Sequence, residues 1–291
     1  MCRVNGSNLK GAAMKKSTNE NKESLKPKPQ GFPNVRVVSP SLPLTIKDTL
    51  GWMSDQDARL ALLGSARLQP YLAEAAGDLD RAFELYAWAV EIAGAMHSHL
   101  SYVEIAARNA LDLAIADWNE TQGTEYGRAW SLEHHAAPQL YALMKNETKQ
   151  ARRNATHAVA RRAADHPRHG VVPTHDDVVA QMSFGTWSTL IAGQVQNNAR
   201  QRQFWLDATH NAFPHLADTE QSRRWAGHQL EELRDLRNRV AHHDNILRVN
   251  IGKRLSLMLS LLAKINPDYP SLAMTRSQLR RLVREDPRRS W

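Results

Sequence analysis

Residues 78 to 119, DLDRAFELYAWAVEIAGAMHSHLSYVEIAARNALDLAIADWN, are the stretch that decides the fold. The apolar positions Leu85, Ala89, Ile92, Met96, Leu100, Val103, Ala107, Leu111, Ala114 and Trp118 advance by fours and threes without a slip. That is the spacing of one face of an α-helix. Asp78 is a good N-cap and no proline interrupts the run. Ser101 with Glu104 has the form of a capping box that could restart a helix, but the unbroken stripe predicts one long helix from Asp78 to Asn119.

Working outward, the remaining signals are helical too. A basic helix is expected from about Pro138 to Ala164, then a loop, Asp165 to Thr174, holding Pro167, Gly170 and Pro173. Thr174 with Asp177 opens a helix through Val178, Met182 and Trp187 to near Gly193, and Asp218 with Gln221 opens the next, to about His243. Lys253 to Ile265 is the last strong helix, closed by Pro267. No run alternates apolar and polar residues between glycine-rich turns, so the expectation is an all-α bundle. Its domain spans residues 46–268, preceded by a flexible leader at 1–45, where five prolines oppose regular structure, and followed by an Arg-rich tail at 269–291.

The chain has 291 residues, 42% hydrophobic and 23% charged, which is enough to build a core and excludes wholesale disorder. Apolar runs such as Leu257 to Ala263 fall well short of the roughly 20 residues of a membrane span. Cys2 is the single cysteine, so neither a disulfide framework nor a thiolate zinc site can form within the chain. Residues 1–30 lack the apolar core of a secretion signal, and a cytoplasmic protein is expected. The net charge of +8 is unevenly spread: residues 1–30 carry +5 and residues 276–291 carry +4, leaving −1 for everything between. Within that near-neutral body Lys145 to Arg168 stands out, with seven basic and two acidic residues.

The most unusual local sequence is Leu236-Arg237-Asn238-Arg239-Val240-Ala241-His242-His243-Asp244-Asn245. Leu230, Leu233 and Val240 define an apolar face on which Arg237 is the next inward step. Asn238 and His242 are one turn apart, and Arg237 is long enough to reach the same space. A guanidinium, a carboxamide and an imidazole converging there suit chemistry on phosphate: the planar fork binds phosphate oxygens at two points, and histidine exchanges protons near neutrality. Two readings stay open from residue types alone, because an inward Arg can equally serve to pair a buried carboxylate. On the long helix Glu104 and Arg108 lie four apart beside the apolar stripe, an ordinary ion pair unless their helix packs against the Arg237 segment.

Other chemistries find little support. The paired histidines lack an H-E-x-x-H pattern, and no P-loop, dinucleotide fingerprint or nucleophile elbow is present. No metal and no organic cofactor is expected. The tryptophans are spread along helices, which places them in core or interface and not on a base-stacking platform. A helix-turn-helix DNA regulator would rest only on basic helices, with no recognition-helix pattern.

Arg237-Asn238-Arg239-Val240-Ala241-His242-His243-Asp244 resembles the R-N-x-x-x-H signature of the Abi-like (abortive infection) proteins, a branch of the HEPN superfamily. Leu85-Tyr86-Ala87-Trp88 and Tyr102 to Ala110 are similar to that family's long first helix, with its E-V-A-L-R-N-A core. Asp176 to Trp187 is similar to its L-S-F-G-F-W segment. Three motifs in order over residues 66–265 carry the likeness; Thr186 replaces the usual aromatic, and Asp244 stands where Glu is common.

The resemblance implies a HEPN-like helical bundle that dimerises so that R-x4-H segments of two protomers form one composite site. It further implies a metal-independent endoribonuclease in bacterial abortive-infection (antiphage toxin) defence, with RNA as substrate and an antitoxin or regulatory partner not identified. On that reading Arg237, Asn238 and His242 are the catalytic residues, with Glu104 and Arg108 beside them, and Arg152, Arg153, Arg161 and Arg162 guide RNA. Because some relatives of this fold are inactive, a non-catalytic RNA- or protein-binding module is the alternative.

Overall fold

The computed structural model describes residues 55–192 and 198–291; the expected leader and Gly193 lie outside them. Every regular element among the described residues is helical. Two short helices, α1 (Asp55–Leu63) and α2 (Ser65–Glu74), lead into α3 (Leu79–Glu120), a continuous 42-residue helix roughly 60 Å long. The Asp78 carboxylate accepts from the Arg81 amide and caps it as expected. No restart occurs at Ser101: the helix runs through it, and its hydroxyl donates back to the His97 carbonyl as a mid-helix serine does. All ten stripe positions except the half-buried Trp118 are buried.

Around α3 are wrapped α4 (Pro138–Ala160), α5 (His175–Val179), α6 (Phe184–Ala192), α7 (Ala199–Asp207), a 3-10 turn (Thr209–Ala212), α8 (Glu220–Ala241) and α9 (Ile251–Ile265). The long helix packs against α2, α6, α8, α9 and the 3-10 turn. Trp130, Trp187 and Trp205 are fully buried, as their distribution suggested.

Several boundaries differ from the sequence reading, each for a local reason. The helix expected from Thr174 to near Gly193 is two, because Ser183 caps a new start at Phe184, its hydroxyl accepting from the Thr186 amide. Thr219, not Asp218, caps α8, with its side chain on the Ser222 amide. Asn250 starts α9 two residues early, and α4 stops at Ala160 instead of Ala164.

The largest difference is at the end of the chain. Residues 269–291 form α10 (Tyr269–Met274), α11 (Leu279–Arg284) and a 3-10 turn (Pro287–Arg289). They are tied onto α3: the Trp88 indole donates to the Leu282 carbonyl at 2.8 Å, and the guanidinium of Arg288 lies over the Trp88 ring. The Arg-rich end is therefore part of the fold, with Arg288 paired to Asp286 at 2.7 Å.

The tightest packing joins α6 to α8. Arg223, 1% exposed, donates to the carbonyls of Ile191 and Ala192 at the end of α6, and its other edge takes Glu220 in two hydrogen bonds of 2.7 and 2.8 Å. Gly227 lets the helices touch, since a Cβ there would stand 2.7 Å from the Ala192 Cα. Gly227→Ala is expected to cost about 1–3 kcal/mol in urea unfolding through overpacking against rigid backbone; an unchanged midpoint would show that the helices can separate freely.

Arg223 above all, then Arg224 and Arg202, holds the Glu220 carboxyl down from its ordinary 4.5 to about 2, against the opposing pull of desolvation. A pKa depressed on folding contributes stability that is complete above the unfolded value and is lost as pH falls from about 4.5 toward about 2. The stability gap between wild type and Glu220→Gln should therefore shrink over that window. A gap that stays constant would count against this ion pair.

Candidate functional site

The site lies where the apolar seam between α3 and α8 runs out. Leu230, Leu233, Leu236 and Val240 are buried along α8, and Arg237 falls at the edge of that face, half-inward. Its Nε sits 3.6 Å from a Glu104 carboxylate oxygen on α3, with side chains 39% and 28% exposed. The Arg237 Nε is buried without a hydrogen-bond partner, and Glu104 is the only group paired with Arg237 among the described residues.

The condition set by the sequence reading, that α3 pack against the Arg237 segment, is met. Glu104 turns to Arg237 and makes no ion pair with Arg108, whose Nε donates instead to the neighbouring Asn109 side chain at 3.4 Å. Asn238 and His242 are exposed, and the His242 amide donates to the Asn238 carbonyl at 2.9 Å, stacking the two residues one turn apart.

His242 is the C-cap of α8, and the helix closes with a Schellman turn. The His243 amide donates to the Val240 carbonyl at 3.1 Å and the Asp244 amide to the Arg239 carbonyl at 2.9 Å. His243 occupies the left-handed position usually given to glycine, with φ of 54°. Two arginines hold the carbonyls beyond: Arg67 of α2 donates to His243 at 2.6 Å and Arg239 to Asn245 at 2.8 Å. Arg67 carried no signal in the sequence, since its partner lies 176 positions away.

The arginines of α4 and of the turn that follows it divide into two kinds. Arg152 donates to the Ser131 carbonyl at 2.9 Å, and Arg162 pairs with Asp177 at 2.6 Å beside Arg168 at 2.5 Å. Burial opposes ionisation of Asp177, but hydrogen bonds from Thr174, Arg162 and Arg168 outweigh it and hold the carboxyl well below the usual range. Arg153 and Arg161 are exposed, and their side chains make no hydrogen bond or ion pair among the described residues.

One further constellation escaped the sequence reading. Asp112 accepts from His175 Nε2 at 3.0 Å and from the Trp130 indole at 2.8 Å, and His175 Nδ1 meets the Ser131 hydroxyl at 2.8 Å. This is the order of a carboxylate–imidazole–hydroxyl relay, but Ser131 is 0% exposed and no substrate can reach it. The network acts as a staple between α3, the loop before α4 and the start of α5. No cluster of three metal-ligating side chains occurs among the described residues, and none of their helices is long and apolar enough to cross a membrane.

No curated protein and no solved structure matches the chain. A family match does exist, over residues 67–248. Since it covers more than half of the sequence and includes both the Glu104 segment and the whole of α8, the chain belongs to the family of Abi-like proteins.

Proposed function

We propose that this protein is a metal-independent endoribonuclease of the HEPN type, acting in abortive infection. The observation that carries this reading is the cluster at the end of α8: an Arg237 guanidinium with a loosely held carboxylate, beside exposed Asn238 and His242 one turn apart. His242 takes the proton of a ribose 2′-hydroxyl, the 2′-oxygen attacks the adjacent phosphorus, and the bond to the 5′-oxygen breaks as that oxygen gains a proton. In the two-protomer arrangement implied by the resemblance, each protomer supplies one imidazole, one as base and one as acid. Arg237 stabilises charge on the phosphate oxygens, Asn238 orients the phosphate, and Glu104 orients Arg237. Arg108 is a further candidate on the same edge of α3.

The Arg237–Glu104 pair also favours a second reading, a non-catalytic RNA- or protein-binding module in which that pair is a tie between helices. One experiment separates the two. Purified protein incubated with RNA and EDTA should yield 5′-hydroxyl and 2′,3′-cyclic-phosphate ends, and His242→Ala should cut the rate by roughly 10²–10⁴-fold while folding is retained. Cleavage that requires added Mg²⁺, or that survives in well-folded His242→Ala, removes the nuclease reading.

Arg153 and Arg161 are proposed to guide RNA, while Arg152 and Arg162 serve the fold. Neutralising Arg153 and Arg161 should lower the salt dependence of single-strand binding by about 0.7 in log–log slope for each phosphate no longer neutralised, with no change in thermal stability. Arg162→Gln should instead destabilise the protein, measurable in the same melts. An unaltered slope would move the RNA path elsewhere.

A further inference from the structure

We infer that Arg67 is a positioning residue of this site: it fixes the turn that carries His242 and offsets the negative end of the helix beneath it. The inference rests on the nuclease reading for the use to which the site is put, but the anchoring itself does not depend on it.

Helix C-termini are poor places for phosphate. Their last carbonyls carry the equivalent of about half a negative charge, and anion sites are normally built at the opposite end. Asn238 and His242 nonetheless lie in the final turn of α8. The turn is also strained locally, because His243 holds a left-handed conformation without being glycine. Such an end needs a cation on its carbonyls and a tether on its backbone.

Arg67 supplies both. Its Nη1 donates to the His243 carbonyl at 2.6 Å from α2, 176 positions away in the sequence. Arg67 is exposed, and no carboxylate pairs with it among the described residues, so its charge is not cancelled as that of Arg237 partly is. Arg239 holds the Asn245 carbonyl in the same way, but from within α8, so it cannot fix the helix end relative to α2. Among the hydrogen bonds of the described residues, the one from Arg67 ties the turn to another helix.

Three variants test this in the full chain: Arg67→Ala, Arg67→Gln and Arg67→Lys. Amide hydrogen exchange at His243 and Asp244, whose N–H groups close the Schellman turn, should speed up roughly tenfold in Arg67→Ala while exchange in the centre of α3 is unaltered. With RNA as substrate, kcat should fall about tenfold in Arg67→Ala and Arg67→Gln, with KM within about twofold, because the imidazole is misplaced and not lost. Arg67→Lys, which keeps charge and donor, should recover kcat to within about threefold of wild type.

If Arg67→Gln recovers as well as Arg67→Lys, the electrostatic half of the inference is overturned. Wild type that cuts RNA, with exchange and kcat unmoved by Arg67→Ala, overturns the whole of it. Wild type that leaves RNA intact while exchange still rises in Arg67→Ala overturns the nuclease reading and upholds the anchoring.

Discussion

Burial of one continuous apolar stripe on α3 is the constraint on which the rest of the structure depends. A 42-residue helix offers far more apolar length than any single partner can cover, so it is covered in sections by α2, α8, α9 and the C-terminal turns. Each section leaves an edge where the seam stops and polar side chains from two helices meet. Glu104 and Arg237 are such an edge pair, brought together because their neighbours Val103, Ala107, Leu233 and Leu236 are in the core. Glu104 and Arg237 are thus brought together by apolar packing, and their loose pair does not have to hold α3 and α8 together.

A second regularity concerns helix ends. Carbonyls at helix ends and in turns lack a partner within their own element, and arginine repeatedly supplies the donor: Arg223 to Ile191 and Ala192, Arg67 to His243, Arg152 to Ser131, Arg162 to Arg168. A long fork reaches a carbonyl while keeping its remaining donors for a carboxylate, as Arg162 does with Asp177. For this reason the +8 charge is a poor guide to where nucleic acid would bind. Part of the basic excess is committed to the fold, and cations with no internal partner, such as Arg153 and Arg161, are the informative ones.

What the sequence made legible follows the same logic. Periodicity over many turns is a strong signal, so α3, α8 and α9 could be placed to within a few residues; the apolar face of α8 pointed Arg237 inward, and the structure sets it at the edge of that face, 39% exposed. Five- and six-residue helices such as α5, α10 and α11 span too few turns to establish a period, which is why a break at Ser183 went unseen and residues 269–291 read as a tail. Ion pairs and hydrogen bonds between distant segments were legible only when one partner looked out of place. Arg237, on an apolar face, raised that question; Arg67, on an exposed surface, did not.

The fold also contains its own standard for judging Arg237. Arg223 shows what a purely structural arginine looks like here: 1% exposed, Glu220 held in two hydrogen bonds of 2.7 and 2.8 Å, and the rest of the fork on two backbone carbonyls. Such a group is fully satisfied and has nothing left to bind. Arg237 differs on every count. It is 39% exposed, its carboxylate stands at 3.6 Å, beyond hydrogen-bond length, and its buried Nε has no acceptor. Leaving a charged donor in that condition costs stability unless another acceptor arrives. A phosphate oxygen beside the Asn238–His242 turn would meet the exposed part of the Arg237 side chain, not its buried Nε, with Glu104 near enough to aim the guanidinium and too distant to occupy it.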